Sequence, residues 1–226
     1  VSSATTFAIV PVKALGEAKR RLAPALAPAA RRRLVLTMLE DVLALLGDVG
    51  PIARTLVVTP DADVAAVATG HGAVVVDEEG PSDLNSAVRR GLAYARRRGA
   101  ERALVIPADV PLATRAEVRS VLASAPTGPA RQVVIVPSEA GEGTNALLLT
   151  PTDVFEPAFG EGSFVRHVAQ AVALGLDFRV LRLPGLGADI DQPRHLARLA
   201  AAMRGSDRYA FLDAVAGGAP RREPGR

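Results

Sequence analysis

Short runs of β-branched and apolar residues alternate along this chain with longer stretches whose apolar positions recur at helical spacing. Phe7–Val12 (FAIVPV) predicts a first strand. Pro28 opens a helical stretch to about Leu46, with Leu34, Met38, Val42 and Leu45 on one face. Thr55–Thr59 (TLVVT) predicts a second strand, followed by a Pro60-Asp61 turn and a short Ala/Val helix. Ala73–Val76 predicts a third strand, and Asp83 is placed to cap a helix running to about Arg98. Ala103–Pro107 predicts a fourth strand, and Thr114 caps the next helix. Two further strands are expected at Gln132–Val136 and Asn145–Leu149, joined by a linker, Pro137–Thr144, too long for a tight hairpin. A helix near Ser163–Leu174, a strand near Phe178–Leu183 and a helix from Pro193 to about Met203 follow. Strands alternating with helices imply an α/β fold with a mainly parallel sheet covered on both faces. Residues 1–203 form the expected domain. Residues 204–226 form an extension with a short helix around Tyr209–Val215 and a mobile Gly/Pro/Arg-rich end.

Composition narrows the chemistry. The 226 residues suffice for one sizeable domain. Aromatics are only 4%, so Ala, Val and Leu must fill the core. The absence of cysteine excludes disulfides, thiolate zinc sites and a thiol nucleophile, and three scattered histidines argue against a zinc enzyme. No stretch is long and apolar enough to span a membrane, and Val1–Thr6 lacks the order of a signal peptide, so a cytoplasmic location is expected. The net charge is only +3. Its basic residues are all arginine except Lys13 and Lys19, which share one loop after the first strand. That placement suggests a local need for lysine; chance clustering is the alternative.

Four segments carry candidate chemistry. Pro11–Leu22 (PVKALGEAKRRL) supplies Lys13, Lys19, Arg20 and Arg21 at the carboxyl end of a strand, where ligands bind in doubly wound sheets. Such a cluster suits a triphosphate, although it is not a Walker A sequence and also reads as a solvated basic loop. Asp109 lies just past the fourth strand, as a ligand for a hard divalent cation or as a turn cap before Pro111. Asp189 and Asp191 in GADIDQP are two apart, which in extended chain turns both carboxylates to one side. They suit a cation; the alternative is a solvated turn in which one caps the following helix. Gly141–Asn145 and Phe159–His167 combine glycine-rich backbone with Thr144 and with Ser163 at a helix start. Free N–H groups, a hydroxyl and the helix dipole would converge there on an anion, but an ordinary Ser163 N-cap uses the same groups.

Taken in order, these segments resemble the guanylyltransferases of the CofC/FbiD family. The resemblance runs from about Phe7 to Ala200. It rests on PVK…AKRRLAP (Pro11 to Pro24), MLEDVL (Met38–Leu43), VVTPD (Val57–Asp61), DLN (Asp83–Asn85), DVPL (Asp109–Leu112), GTNALLL (Gly143–Leu149), FGEGSF (Phe159–Phe164) and DIDQP (Asp189–Pro193). It implies a GT-A-like, Rossmann-related nucleotidyltransferase fold. It also implies transfer of GMP from GTP to 2-phospho-L-lactate, phosphoenolpyruvate or 3-phosphoglycerate, with release of pyrophosphate, in coenzyme F-420 biosynthesis. By position, the resemblance implies that Lys13, Lys19 and Arg21 contact the triphosphate. Asp109, Asp189 and Asp191 would hold Mg²⁺, with Mn²⁺ as a substitute. Thr144, Gly160 and Ser163 would bind the acceptor, and Asp61 and Asn85 would lie near base and ribose. Lys19, Arg21 and Asp109 would carry catalysis. The family often has glycine before the first metal aspartate, where this chain has Ala108. The product would pass to a downstream transferase, and a homodimer is left open.

A nucleophile that is already a phosphate anion needs no general base. The site must instead screen repulsion between two anions and stabilise charge on the leaving pyrophosphate. Rival readings are a molybdopterin guanylyltransferase or cytidylyltransferase, a non-catalytic nucleotide-sensing domain, and a nucleic-acid binder using Arg31–Arg33 and Arg96–Arg98. Scarce aromatics and helix-surface placement speak against the last.

Overall fold

The computed structural model describes residues 4–77, 83–125 and 131–212. Within these residues, seven strands form one sheet: β1 (Thr6–Pro11), β2 (Ile52–Thr59), β3 (Val74–Asp77), β4 (Arg102–Val105), β5 (Gln132–Pro137), β6 (Thr144–Thr150) and β7 (Asp177–Val180). Six α-helices accompany them: α1 (Pro28–Gly47), α2 (Ala62–Gly70), α3 (Leu84–Arg97), α4 (Arg115–Ala123), α5 (Ser163–Ala173) and α6 (Pro193–Ala202). Up to Met203 the expected elements are all present, with ends moved by a few residues. Asp83 caps α3 through the Asn85 and Ser86 amides, and Thr114 forms a capping box with Glu117 on α4.

The sheet order is β3-β2-β1-β4-β6-β5-β7. Alternate residues of β1 serve opposite faces. Ala8 and Val10 pack with residues of α1, α2 and α4, while Phe7 and Ile9 pack with residues of α3 and α5. Both faces are therefore buried, as the near-continuous apolar strands require. Gly91 lets α3 lie directly on β1, because a Cβ there would stand 2.5 Å from Ile9 Cγ2.

One strand runs against the rest. β6 pairs antiparallel with both β4 and β5. The connection 138–143 between β5 and β6 closes on itself: the Ser138 amide donates to the Gly143 carbonyl, and the Gly143 amide donates to Ser138 Oγ. Its length does not prevent hairpin pairing, since Ser138 supplies the acceptor that a tight turn would otherwise provide. The reversal puts the first residues of β6 at the same sheet edge as the last residues of β4.

A third apolar cluster joins a 3₁₀ turn (Arg20–Leu22), α1, α6 and the chain after α6. Leu22, Leu34, Met38, Ile190, Leu196, Tyr209 and Leu212 meet there. The segment after Met203 is thus not separate from the domain up to Leu212. Arg208 pairs with Glu40 and Asp41, and the Tyr209 hydroxyl donates to Asp41 Oδ2 at 2.5 Å. The short element there is a 3₁₀ turn, Ala210–Leu212, rather than the helix expected around Tyr209–Val215. Its expected last residues and the predicted mobile end lie outside the described residues.

Candidate active site

A cleft of about 1120 Å³ opens at the edge where β1, β4 and β5 end and β6 begins. Lys13, Lys19, Arg21, Asp109, Thr144, Gly160, Ser163, Asp189 and Asp191 all line it.

Lys19 is the cation at its centre. Its backbone is left-handed, with φ 54° and ψ 37°, the positive-φ non-glycine residue of the described chain. This conformation is unfavourable for an L-residue and is held by the 3₁₀ turn it precedes, whose Leu22 is buried in the third cluster. The turn aims the side chain inward, where it is only 8% exposed. Lys19 Nζ lies 2.5 Å from Asp109 Oδ2 and 3.5 Å from Asp191 Oδ1. Burial opposes its charge, but Asp109, Asp191 and Asp189 outweigh that cost and raise its pKa above the ordinary lysine value. Arg21 is exposed and donates to Asp191 Oδ2 at 2.9 Å. Lys13 is exposed on the rim.

The carboxylates sit on two segments that are stitched together. The Ile190 amide donates to the Asp109 carbonyl at 3.0 Å. Ile190 is fully buried on the other side, so Asp189 and Asp191 both turn to the cleft, as their spacing predicts. Neither caps α6, whose N-cap is Gln192 without a side-chain bond. Asp189 Oδ1 accepts from Asn145 Nδ2 at 3.2 Å. Asp109 Oδ1 is buried without a hydrogen-bond partner. An orphaned carboxylate oxygen is costly and suits a cation ligand. Among the described residues, however, no three acidic or histidine side chains converge tightly enough to form a complete cage. Such a set fits an ion that completes its shell with phosphate oxygens. Ala108, in place of the family's glycine, is buried with its methyl in the core of the first face.

The opposite wall is the turn 158–163 and the start of α5. Gly162 is the N-cap, left-handed at φ 66°, and Ser163 is the first helical residue. Ser163 is therefore not a conventional N-cap. The residue lines the cleft, and its hydroxyl is buried without a hydrogen-bond partner. The expected convergence of free N–H groups is reduced, because the Ser163 and Phe164 amides already donate to the Gly160 and Glu142 carbonyls. What remains for an anion is the Ser163 hydroxyl, the dipole end of α5 and the neighbouring Thr144, also buried.

Asp61 and Asn85, expected near base and ribose, do not line the cleft. Asp61 caps α2 through Oδ1 and accepts the Leu15 amide on Oδ2 at 2.9 Å, which pins the lysine loop. Asn85 makes a two-way pair with the Phe159 backbone, at 3.1 and 2.7 Å. Their polar atoms are consumed in holding the two loops that do form the site. His167, which sequence reading passed over, is fully buried and bonds both Thr144 and the Ala158 amide. A histidine within an apolar helix carries no local signal of such a role.

Comparisons with known proteins identify the family. Residues 6–216 match the family described as Guanylyl transferase CofC like. A phosphoenolpyruvate guanylyltransferase of Sphaerobacter thermophilus is 43% identical over 196 residues, covering 87% of this chain and 93% of the relative. A 2-phospho-L-lactate guanylyltransferase of Methanothermobacter thermautotrophicus is 34% identical over 194 residues, covering 86% and 83%. A solved nucleotidyl transferase from Methanothermobacter shares the fold, with a TM-score of 0.67 at 20% identity, covering 88% of this chain and 97% of that one. The chain carrying this lysine-and-carboxylate cleft on a GT-A-like sheet belongs to the CofC-like guanylyl transferase family.

Proposed function

We propose that this enzyme moves GMP from GTP to the phosphate of a small phosphoacid and releases pyrophosphate, in the assembly of coenzyme F-420. The observation that carries the reading is the cleft itself. Lys19, set between Asp109 and Asp191, and Ser163, whose buried hydroxyl has no partner, line one cleft. One wall suits a nucleotide triphosphate and the other a second anion.

In this reading the rim cations Lys13 and Arg21, with Lys19, bind the β- and γ-phosphates. Ser163, Thr144 and the dipole end of α5 orient the acceptor. An acceptor phosphate oxygen attacks the α-phosphorus, the α–β bridging bond breaks, and its electron pair leaves on pyrophosphate. The nucleophile is already an anion, so no side chain has to remove a proton. The protein's work is alignment and charge screening. Asp109, with Asp189 and Asp191, would hold Mg²⁺, or Mn²⁺ in its place, and a bound divalent ion supplies neutralisation of phosphate charge.

2-Phospho-L-lactate, phosphoenolpyruvate and 3-phosphoglycerate each present a phosphate and a carboxylate to the Thr144–Ser163 wall. Phosphoenolpyruvate is favoured by the name of the 43%-identical relative. The phosphoanhydride product would be consumed by a downstream transferase, in the cytoplasm. No helix among the described residues is long and apolar enough to cross a membrane.

The test is pyrophosphate release with GTP and Mg²⁺, offering each phosphoacid in turn, repeated with ATP and CTP. Release with GTP and one phosphoacid is expected. No release with any of the three would refute the reading, and equal rates with CTP would favour a cytidylyltransferase.

A further inference from the structure

His167 is a buried titratable group that the chemistry above does not use. It lies on the first turns of α5, has no exposed surface, and sits edge-on to Phe155 and Phe159 at centroid distances of 5.6 and 5.2 Å. Its ring has two bonds. The Ala158 amide lies 2.9 Å from Nε2, and Thr144 Oγ1 lies 2.9 Å from Nδ1.

These bonds fix the tautomer. A backbone N–H can only donate, so Nε2 must carry the lone pair. A neutral imidazole then carries its proton on Nδ1. Nδ1–H donates to Thr144 Oγ1, whose own hydroxyl hydrogen is left to point elsewhere, and Thr144 lines the cleft. An anion needs a donor. A threonine hydroxyl that spent its hydrogen on a histidine lone pair would instead present lone pairs to the ligand and repel it. We propose that His167 is a positioning residue for the acceptor: its Nδ1–H tautomer, set by the Ala158 amide, obliges Thr144 to act as a hydrogen-bond donor to the phosphoacid. The Ala158 amide opens the turn that carries Gly160 and Ser163, so one imidazole couples both parts of the acceptor wall. Burial and the nearby Arg166 cation lower its pKa to about 4, so the ring stays neutral through the working range. The inference rests on the assignment of Thr144 and Ser163 to the acceptor.

The first measurement needs no variant. In ¹⁵N-histidine-labelled protein, the His167 ring should show a protonated Nδ1 and a bare Nε2 from pH 6 to 8. A proton on Nε2, or a doubly protonated ring at neutral pH, overturns the proposal. The second uses two variants with phosphoenolpyruvate as the probe. His167→Phe keeps ring volume and loses both bonds; it should raise the acceptor KM by about tenfold or more while leaving the GTP KM in place. His167→Asn places an amide donor near the Nδ1 position and should recover much of that loss. A folded His167→Phe with an unchanged acceptor KM, or equal losses for both substrates without recovery in His167→Asn, overturns it. Thr144→Val separates this from the parent reading. An active Thr144→Val enzyme with an unchanged acceptor KM refutes the acceptor wall, whereas the ring spectrum reports the tautomer independently.

Discussion

Lys19 Nζ is 2.5 Å from Asp109 Oδ2, although the two residues are 90 positions apart in the chain. In the proposed reaction the pair ties the cation that would bind the nucleotide to a carboxylate that would hold a metal. The lysine is buried and the aspartate half-buried, and such a pair stabilises itself only while both charges are present. The arrangement keeps the lysine charged and aimed into the cleft.

Replacing Lys19 by alanine should slow pyrophosphate release by about ten- to a hundred-fold, the loss expected for one charged hydrogen bond of the transition state. Lys19→Arg should not restore the rate, because a planar guanidinium cannot replace a compact ammonium between two carboxylates. Circular dichroism should show a folded protein in both variants. Wild-type turnover in Lys19→Ala would remove this residue from the mechanism.

Asp109→Asn should abolish the effect of Mg²⁺ on GTP binding. The orphaned Oδ1 is the oxygen on which that dependence would rest. Calorimetric titrations of GTP with and without the ion decide it; curves that still separate in the variant would count against Asp109.

Asn85→Ala removes both hydrogen bonds to the Phe159 backbone, each worth about 1 kcal/mol. The turn that carries Gly160 and Ser163 should loosen. Steady-state kinetics should therefore show a raised KM for the phosphoacid. A rise confined to GTP would return Asn85 to the base-binding role.

Acid should destabilise the protein through His167. Its folded pKa is depressed from 6.5 to about 4, so the unfolded chain takes up the proton first. The stability this group contributes is present above pH 6.5 and is lost as pH falls from 6.5 towards 4. The loss amounts to about 3 kcal/mol over that window. Urea melts of wild type and His167→Phe should converge as pH falls; parallel pH profiles would contradict this.

Alkali should act through Tyr209. Burial, then the hydrogen bond to Asp41, raise the phenol well above its ordinary 10.0. The unfolded state loses its proton first, so this contribution holds below pH 10.0 and fades as pH rises beyond it. Tyr209→Phe should be less stable at neutral pH by about 1.5–3 kcal/mol, because a charged hydrogen bond is lost. It should also show a flatter decline above pH 10. An unchanged melting temperature at neutral pH would show that the clasp on α1 contributes nothing.

By itself the sequence determined much of what near neighbours set. The alternation of strands and helices, the caps at Asp83 and Thr114, and the same-side projection of Asp189 and Asp191 follow from backbone period and local hydrogen bonding. The types of group needed at an anion-rich site were legible too, because two lysines stand out in an arginine-rich chain. Tertiary structure alone decided which polar groups remain for a ligand. The antiparallel course of β6 brings Thr144 to the edge where β4 delivers Asp109. Packing spends Asp61 on Leu15 and Asn85 on Phe159, while it leaves Ser163 Oγ and Asp109 Oδ1 without partners. It also joins His167 to Thr144, a link no periodicity records. Local spacing fixes the direction a side chain points, but the groups it meets lie tens of residues away and are set only when the sheet and its loops close.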